Sequence, residues 1–78
     1  MNIKEYCELS QSEDYYVQVQ YKDMSFDEPA IENDYIDAIE DTAGNLVGYL
    51  VGDEYLNEFW HKEDVRWFRI LRVEIDES

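Results

Sequence analysis

A chain of 78 residues, 45% of them hydrophobic and 15% aromatic, is long enough to fold as one domain and too short for two. Its 20 acidic and 6 basic residues give a formal net charge of −14, which argues against direct contact with nucleic-acid phosphates or with an anionic membrane. The single cysteine, Cys7, rules out an internal disulfide, and the single histidine, His61, argues against a zinc hydrolase or a Ser-His or Cys-His nucleophile.

The first half of the chain predicts a short helix followed by a strand. Residues 1–10 are typical of a helix, because Asn2 can cap it and Glu5 lies three residues further on. Residues 11–14 are a polar connection. Residues 15–21 alternate apolar and polar side chains and give the clearest strand. Residues 22–33 read as a loop that can begin a turn of helix at Pro29.

The second half predicts a hairpin, a helix and a long strand. Residues 34–51 fit a hairpin that turns at 41–45, where Gly44 can take a positive φ; helix is an alternative for 31–41. Residues 54–62 predict a short helix capped by Asp53. Residues 65–75 predict a strand with apolar side chains on both faces, as a central strand would have. Its faces are predicted as Val65, Trp67, Leu71, Val73 and Ile75 against Phe68 and Ile70.

These elements add up to an α+β fold that is mainly β. We expect one small antiparallel sheet of about three to five strands, able to curl toward a barrel, with one or two short helices. Three glycines recur at every fourth residue, Gly44, Gly48 and Gly52, which places them on one strand face and favours curvature or close packing there. The sequence has no apolar signal region and no stretch near 18 apolar residues. We therefore expect a single acidic domain over residues 1–78, in the cytoplasm (the host cytoplasm if a phage encodes it), as a monomer or dimer.

The charge is unevenly distributed along the chain. Residues 1–58 carry a net charge of −13, and residues 59–78 a net charge of −1. The densest stretch, 23–41, has eight acidic residues and no lysine or arginine. Near the other end lie Arg66, Arg69 and Arg72, which we expect to pair with carboxylates inside the molecule and so relieve repulsion.

A charge run of this kind has two interpretations. It can be a solvated face that only keeps the protein dissolved, but its density exceeds what solubility requires and it lacks the usual interspersed lysines. It also alternates with aromatic and aliphatic residues, as a protein-binding surface does. In size, charge and aromatic content the chain resembles nucleic-acid-mimicking inhibitors: anti-restriction proteins, phage anti-CRISPR proteins and acidic immunity proteins that block nuclease toxins. No motif carries the resemblance.

We predict an acidic binding protein, without enzymatic activity or cofactor, that occludes the nucleic-acid site of a basic nucleic-acid-binding protein or nuclease, as a phage anti-defence or anti-CRISPR protein would. The alternatives are an immunity protein or antitoxin for a nuclease toxin, and a small structural or regulatory subunit whose charge is incidental. The predicted partner-binding residues are eight acids with Tyr35 as an anchor: Asp23, Asp27, Glu28, Glu32, Asp34, Asp37, Glu40 and Asp41.

Overall fold

The computed structural model describes residues 1–53 and 55–74. In chain order these form α1 (Ile3–Glu8), a 3₁₀ turn (Leu9–Gln11), β1 (Tyr15–Tyr21), β2 (Ile31–Asn33), β3 (Tyr35–Glu40), β4 (Leu46–Gly52), β5 (Asn57–His61), a 3₁₀ turn (Lys62–Asp64) and β6 (Val65–Arg72). The predicted class, mainly β with a short helix, is confirmed. The described strands form two three-stranded antiparallel sheets, ordered β2-β1-β6 and β3-β4-β5.

The chain passes from the first sheet to the second at Asp34, which separates β2 from β3. The backbone N–H of Asp34 donates to the Gly52 carbonyl at 3.0 Å, which fixes this crossing against the end of β4. Residues 31–33 and 35–40 are strands, so the helical alternative for 31–41 is wrong, and the loop predicted over 22–33 ends before β2. The reason is visible in β3, where buried Ile36 and Ala38 alternate with less buried neighbours at a period of two.

The hydrophobic core lies between the inner faces of the two sheets. The first sheet contributes Val17 and Val19, and the second contributes Ile36 and Val51, all at most 2% exposed. Cys7 reaches the same core from α1 and is fully buried, as expected of a small apolar residue. Across one side of the core the rings of Tyr21 and Trp60 stack with centroids 4.0 Å apart, which joins β1 to β5.

On the opposite side the N-terminal helix spans the opening between β3 and β6. The Asn2 side chain accepts from the Glu5 N–H at 2.8 Å and caps α1, as predicted. The Tyr6 hydroxyl accepts from the Ile70 N–H on β6 at 3.2 Å. The Ser10 hydroxyl accepts from the Ile36 N–H on β3 at 2.9 Å. The two sheets are therefore curled toward each other and bridged by a helix, but they do not form a closed barrel.

The predicted helix over residues 54–62 is wrong, since β5 occupies most of it. Asp53 Oδ1 accepts from the N–H groups of Tyr55 and Leu56, both at 2.8 Å, and this tight turn sends the chain back along β4. The predicted close packing at the glycines holds on β4: a Cβ at Gly48 would overlap the carbonyl oxygen of Trp60 on β5. Gly44 has φ +85° and lies in the turn, which confirms its predicted role there, but it does not share a strand face with Gly48 and Gly52 as the spacing predicted.

The last strand was predicted as central, but β6 lies at the edge of its sheet and pairs with β1. Its faces also differ from the prediction. A bulge opposite Gln20 and Tyr21 shifts the alternation, so Val65 packs on the core together with Phe68 and Ile70. Trp67 is on the outer side and 38% exposed. Ile75, predicted on the Val65 face, lies outside the described residues.

Candidate acidic binding surface

The eight predicted acidic residues fall into three groups along the fold. Asp23, Asp27 and Glu28 lie in the loop between β1 and β2, Glu32 to Asp37 surround the crossing between the sheets, and Glu40 and Asp41 lie at the β3–β4 turn. All except half-buried Asp37 are exposed. Since Val19 pairs with Ile31 and Val17 with Asn33, the loop and the crossing lie at opposite ends of the first sheet. The residues that sequence grouped together therefore do not form one patch.

The middle group lines two adjoining clefts that meet at Asp34. A cleft of about 640 Å³ is bordered by Glu13, Asp34, Tyr35 and Asp37, among others. A second, of about 520 Å³, is bordered by Glu32, Asp34 and Glu74. We call the five carboxylates around these clefts the acidic groove: Glu13, Glu32, Asp34, Asp37 and Glu74.

Two members of the acidic groove, Glu13 and Glu74, were missed by sequence reasoning. They come together because β1 and β6 are antiparallel neighbours, so the residues before β1 lie beside those after β6. The Val73 N–H donates to the Asp14 carbonyl at 2.7 Å and extends this pairing past the strands. No local pattern indicates it; only the pairing of β1 with β6 would have.

Tyr35, the predicted anchor, lies on β3 and is half-buried. Its hydroxyl accepts from the Asn57 side-chain amide on β5 at 2.6 Å, across the bare backbone of Gly52. The ring is therefore held in place beside Asp34 and Asp37 at the mouth of the larger cleft.

Two of the predicted contact residues are engaged in local structure. Glu28 Oε2 accepts from the Ser25 N–H at 2.9 Å within its own loop. Asp41 Oδ1 accepts from the N–H groups of Asn45 and Ala43, each at 2.9 Å. These bonds, with the one from Asn45 contributing most, hold the pKa of Asp41 below its ordinary value. Asp41 is thus a turn-forming residue.

The cationic side chains described by the structure lie mainly on the first sheet and its flanks. Lys22 Nζ is 2.5 Å from Asp64 Oδ1. Arg69 donates to Gln18 Oε1 at 2.7 Å, and Arg66 donates to Gln20 Oε1 at 3.2 Å. Among residues 1–53 and 55–74, the predicted pairing of Arg66, Arg69 and Arg72 with carboxylates is not found.

Arg66 and Arg69 each also lie near an aromatic ring. The Arg66 guanidinium lies 4.0 Å from the centroid of Phe26, and that of Arg69 lies 5.4 Å from Trp67. The bulge in β6 explains the position of Arg66 outside the core. Within residues 1–53 and 55–74, no carboxylate of the acidic groove has a cationic partner within salt-bridge distance.

Two side chains with nucleophilic atoms, Cys7 and Ser10, are buried in the fold. Burial, with a smaller contribution from the charge of Asp37, raises the pKa of the Cys7 thiol to about 11, so it is protonated at neutral pH. The Ser10 hydroxyl is 2% exposed and bound to the β3 backbone. In the part of the chain that the structure describes, no three His, Cys, Asp or Glu side chains are grouped to hold a metal ion.

Among the described residues the helices are too short and too polar to cross a bilayer. Searches of protein-family models, curated proteins and solved structures found no match to this chain.

Proposed function

We propose that this protein binds the basic surface of a nucleic-acid-binding protein or nuclease through the acidic groove and so blocks its nucleic-acid site. The observation that carries the proposal is the band of carboxylates around Asp34, exposed except for half-buried Asp37, with no cationic partner among the described residues. A carboxylate band of this kind gives charge complementarity to a surface rich in lysine and arginine, and it speeds association with that surface. The mechanism is steric and electrostatic, without turnover.

The carboxylates around Asp34 are more widely spaced along the chain than the phosphates of a nucleic-acid strand. At the strand rise of about 3.3 Å per residue, Glu32 and Asp34 are at most about 7 Å apart along the chain, and Asp34 and Asp37 at most about 10 Å. A DNA strand carries a phosphate about every 3.4 Å along the axis. This one run is therefore sparser than DNA, and Glu13 and Glu74 add charge beside it.

The test is to capture binding partners from cell lysate with the tagged protein, at about 50 mM and about 500 mM salt. Exposed charges are weakly screened at the lower concentration and strongly screened at the higher one. We expect a basic nucleic-acid-binding protein to be retained at low salt and released by added duplex DNA or RNA. The double substitution E13K/D34K should reduce its retention by about tenfold or more. Neither side chain makes a described hydrogen bond, so circular dichroism should show an intact fold.

The matched control is D23K/E63K, which changes the net charge equally at the far end of the first sheet. It should retain the partner nearly as well as the unmodified protein. Equal losses in both variants would show that net charge alone drives binding and would contradict a role for the groove. A partner that resists salt and is not displaced by nucleic acid would instead support a regulatory subunit. Whether the partner is a defence nuclease or a toxin then follows from its identity.

A further inference from the structure

The outer face of the second sheet is largely apolar and partly exposed to solvent. The register places Asp37, Leu50 and Phe59 in one row across the three strands. Tyr35 and Ile39 flank Asp37 on the same face of β3. Phe59 is 43% exposed, whereas the opposite faces of these strands pack on the core.

Glycines on the central strand shape this face. Gly48 and Gly52 leave no side chain between β3 and β5 at their positions. The Phe59 ring lies over Gly48, where an added Cβ would come within 2.8 Å of its Cζ atom, and it meets the His61 ring edge-on at 5.2 Å. The Phe59 ring therefore packs where a side chain at Gly48 would otherwise stand. Two further exposed apolar side chains, Tyr55 and Leu56, lie in the adjoining loop before β5.

The negative charge around this face favours a basic partner over a second copy of this chain. No lysine or arginine occurs between residues 23 and 61, so β3, β4 and β5 carry none. Asp37 lies on the face, and Asp34 and Asp53 lie just beyond its end at Tyr35 and Gly52. An apolar centre with aromatic residues and a charged rim is the usual composition of a protein interface. A second copy of this chain would bring another acidic rim and a further net charge of −14 against it.

We infer that the outer face of the second sheet, with Phe59 as its central contact, is where the basic partner protein docks. This inference rests on the proposed function and adds the apolar contact to it. The face shares Asp37 with the acidic groove, and Tyr35 of this face borders the larger cleft, so one partner covers both. Partner arginines can stack on the exposed rings while their charges meet the rim carboxylates.

The test compares F59A with F26A for binding to the partner captured above, by surface plasmon resonance at about 50 mM and about 500 mM salt. Phe26 is 83% exposed on the first-sheet side and gives a matched Phe-to-Ala control. We expect F59A to weaken binding by about 30-fold or more, the size of a hot-spot loss, mainly through faster dissociation. The ratio of the two affinities, of F59A and of the unmodified protein, should stay the same as salt weakens the binding of both proteins, because apolar contacts are not screened. F26A should change binding by less than about threefold.

A second variant, F59Y, keeps the ring and should bind nearly as well as the unmodified protein, which separates a lost contact from a damaged fold. Normal binding by F59A alongside loss in E13K/D34K would overturn this inference and leave the proposed function standing. Failure of the unmodified protein to capture any partner that nucleic acid displaces would overturn both. Sedimentation showing a dimer that F59A dissociates would assign the face to a second copy and also overturn the inference.

Discussion

The carboxylate of Asp41 holds the β3–β4 turn together at the scale of a single residue. It accepts from two backbone N–H groups, and the side-chain amide of Asn45 lies 3.5 Å from its second oxygen. The Gly44 N–H donates to the Asp41 carbonyl at 3.0 Å, with Gly44 in the left-handed conformation that the reversal requires. Because these donors favour the charged form, the pKa of Asp41 is lower in the folded protein than in the unfolded chain.

This pKa shift predicts a pH-dependent effect of the substitution D41A. A lowered folded-state pKa stabilises the protein above the unfolded-state value of about 3.9, and the stabilisation is lost as pH falls through the folded-state pKa. D41A should therefore lower the melting temperature at pH 7 and have little effect near pH 2. Thermal melts followed by circular dichroism at both values measure this, away from the isoelectric point near 4.1.

The control for D41A is D27A, which removes an exposed carboxylate for which the structure describes no hydrogen bond. D27A should leave the melting temperature at pH 7 unchanged or slightly raised, because it relieves repulsion. Equal melting temperatures for D41A and the unmodified protein at pH 7 would contradict the assigned role of the turn.

At the scale of elements, the N-terminal segment protects the open edge of β3. Edge strands carry unpaired backbone groups that invite pairing with other chains. The Ser10 hydroxyl satisfies one such group by accepting from the Ile36 N–H, and its single proton is within donating distance of the Ile36 carbonyl at 3.0 Å. It is also 2.7 Å from the Cys7 carbonyl at the end of α1, so it fastens the helix to the sheet.

We expect S10A to destabilise the protein by about 2 kcal/mol, because it leaves buried backbone groups without a partner. Urea unfolding measures this free energy, and hydrogen exchange should show faster exchange of the Ile36 amide. The control S12A removes an exposed hydroxyl that accepts only a long bond of 3.4 Å from Asp14, and it should cost less than about 0.5 kcal/mol. An S10A protein as stable as the unmodified one would show that the helix is not held in this way.

The elements that sequence predicts well are those with a local signal. The alternation in β1, the Asn2 cap and the Gly44 turn each depend on neighbouring residues. Strand β5 was missed because Phe59 and Trp60 fit a helical spacing as well as the two faces of a strand, and only packing against Gly48 and Tyr21 decides between them. For the candidate site, the acidic run was evident from composition.

The arrangement of that run into clefts depends on contacts distant in sequence. Asp34 marks the crossing between two sheets, a feature that no local pattern contains. Glu13 lies near Asp34 because the 3₁₀ turn Leu9–Gln11 packs beside β3. Glu74 lies near Asp34 because β1 pairs with β6. Sequence therefore predicts the charge of the site but not which carboxylates share it.

At the scale of the whole molecule, a net charge of −14 on 78 residues causes electrostatic repulsion among the carboxylates. This repulsion is present in the folded protein and weaker in the expanded unfolded chain, so it reduces stability. The described ion pair between Lys22 and Asp64 is exposed on the lysine side and offsets little of it. The cost is consistent with a surface retained for binding.

Salt should therefore stabilise this protein. Raising NaCl from about 10 mM to about 1 M shortens the Debye length from about 30 Å to about 3 Å, which screens repulsion among surface carboxylates. We expect the melting temperature to rise, with most of the rise complete by about 0.15 M, where the Debye length is already about 8 Å. D23K/E63K, whose net charge is −10 because each substitution adds two positive charges, should melt higher at low salt and respond less to NaCl. A melting temperature that falls with NaCl would mean that attractive pairs outweigh repulsion in the folded state, and the charge would then need no binding partner to explain it.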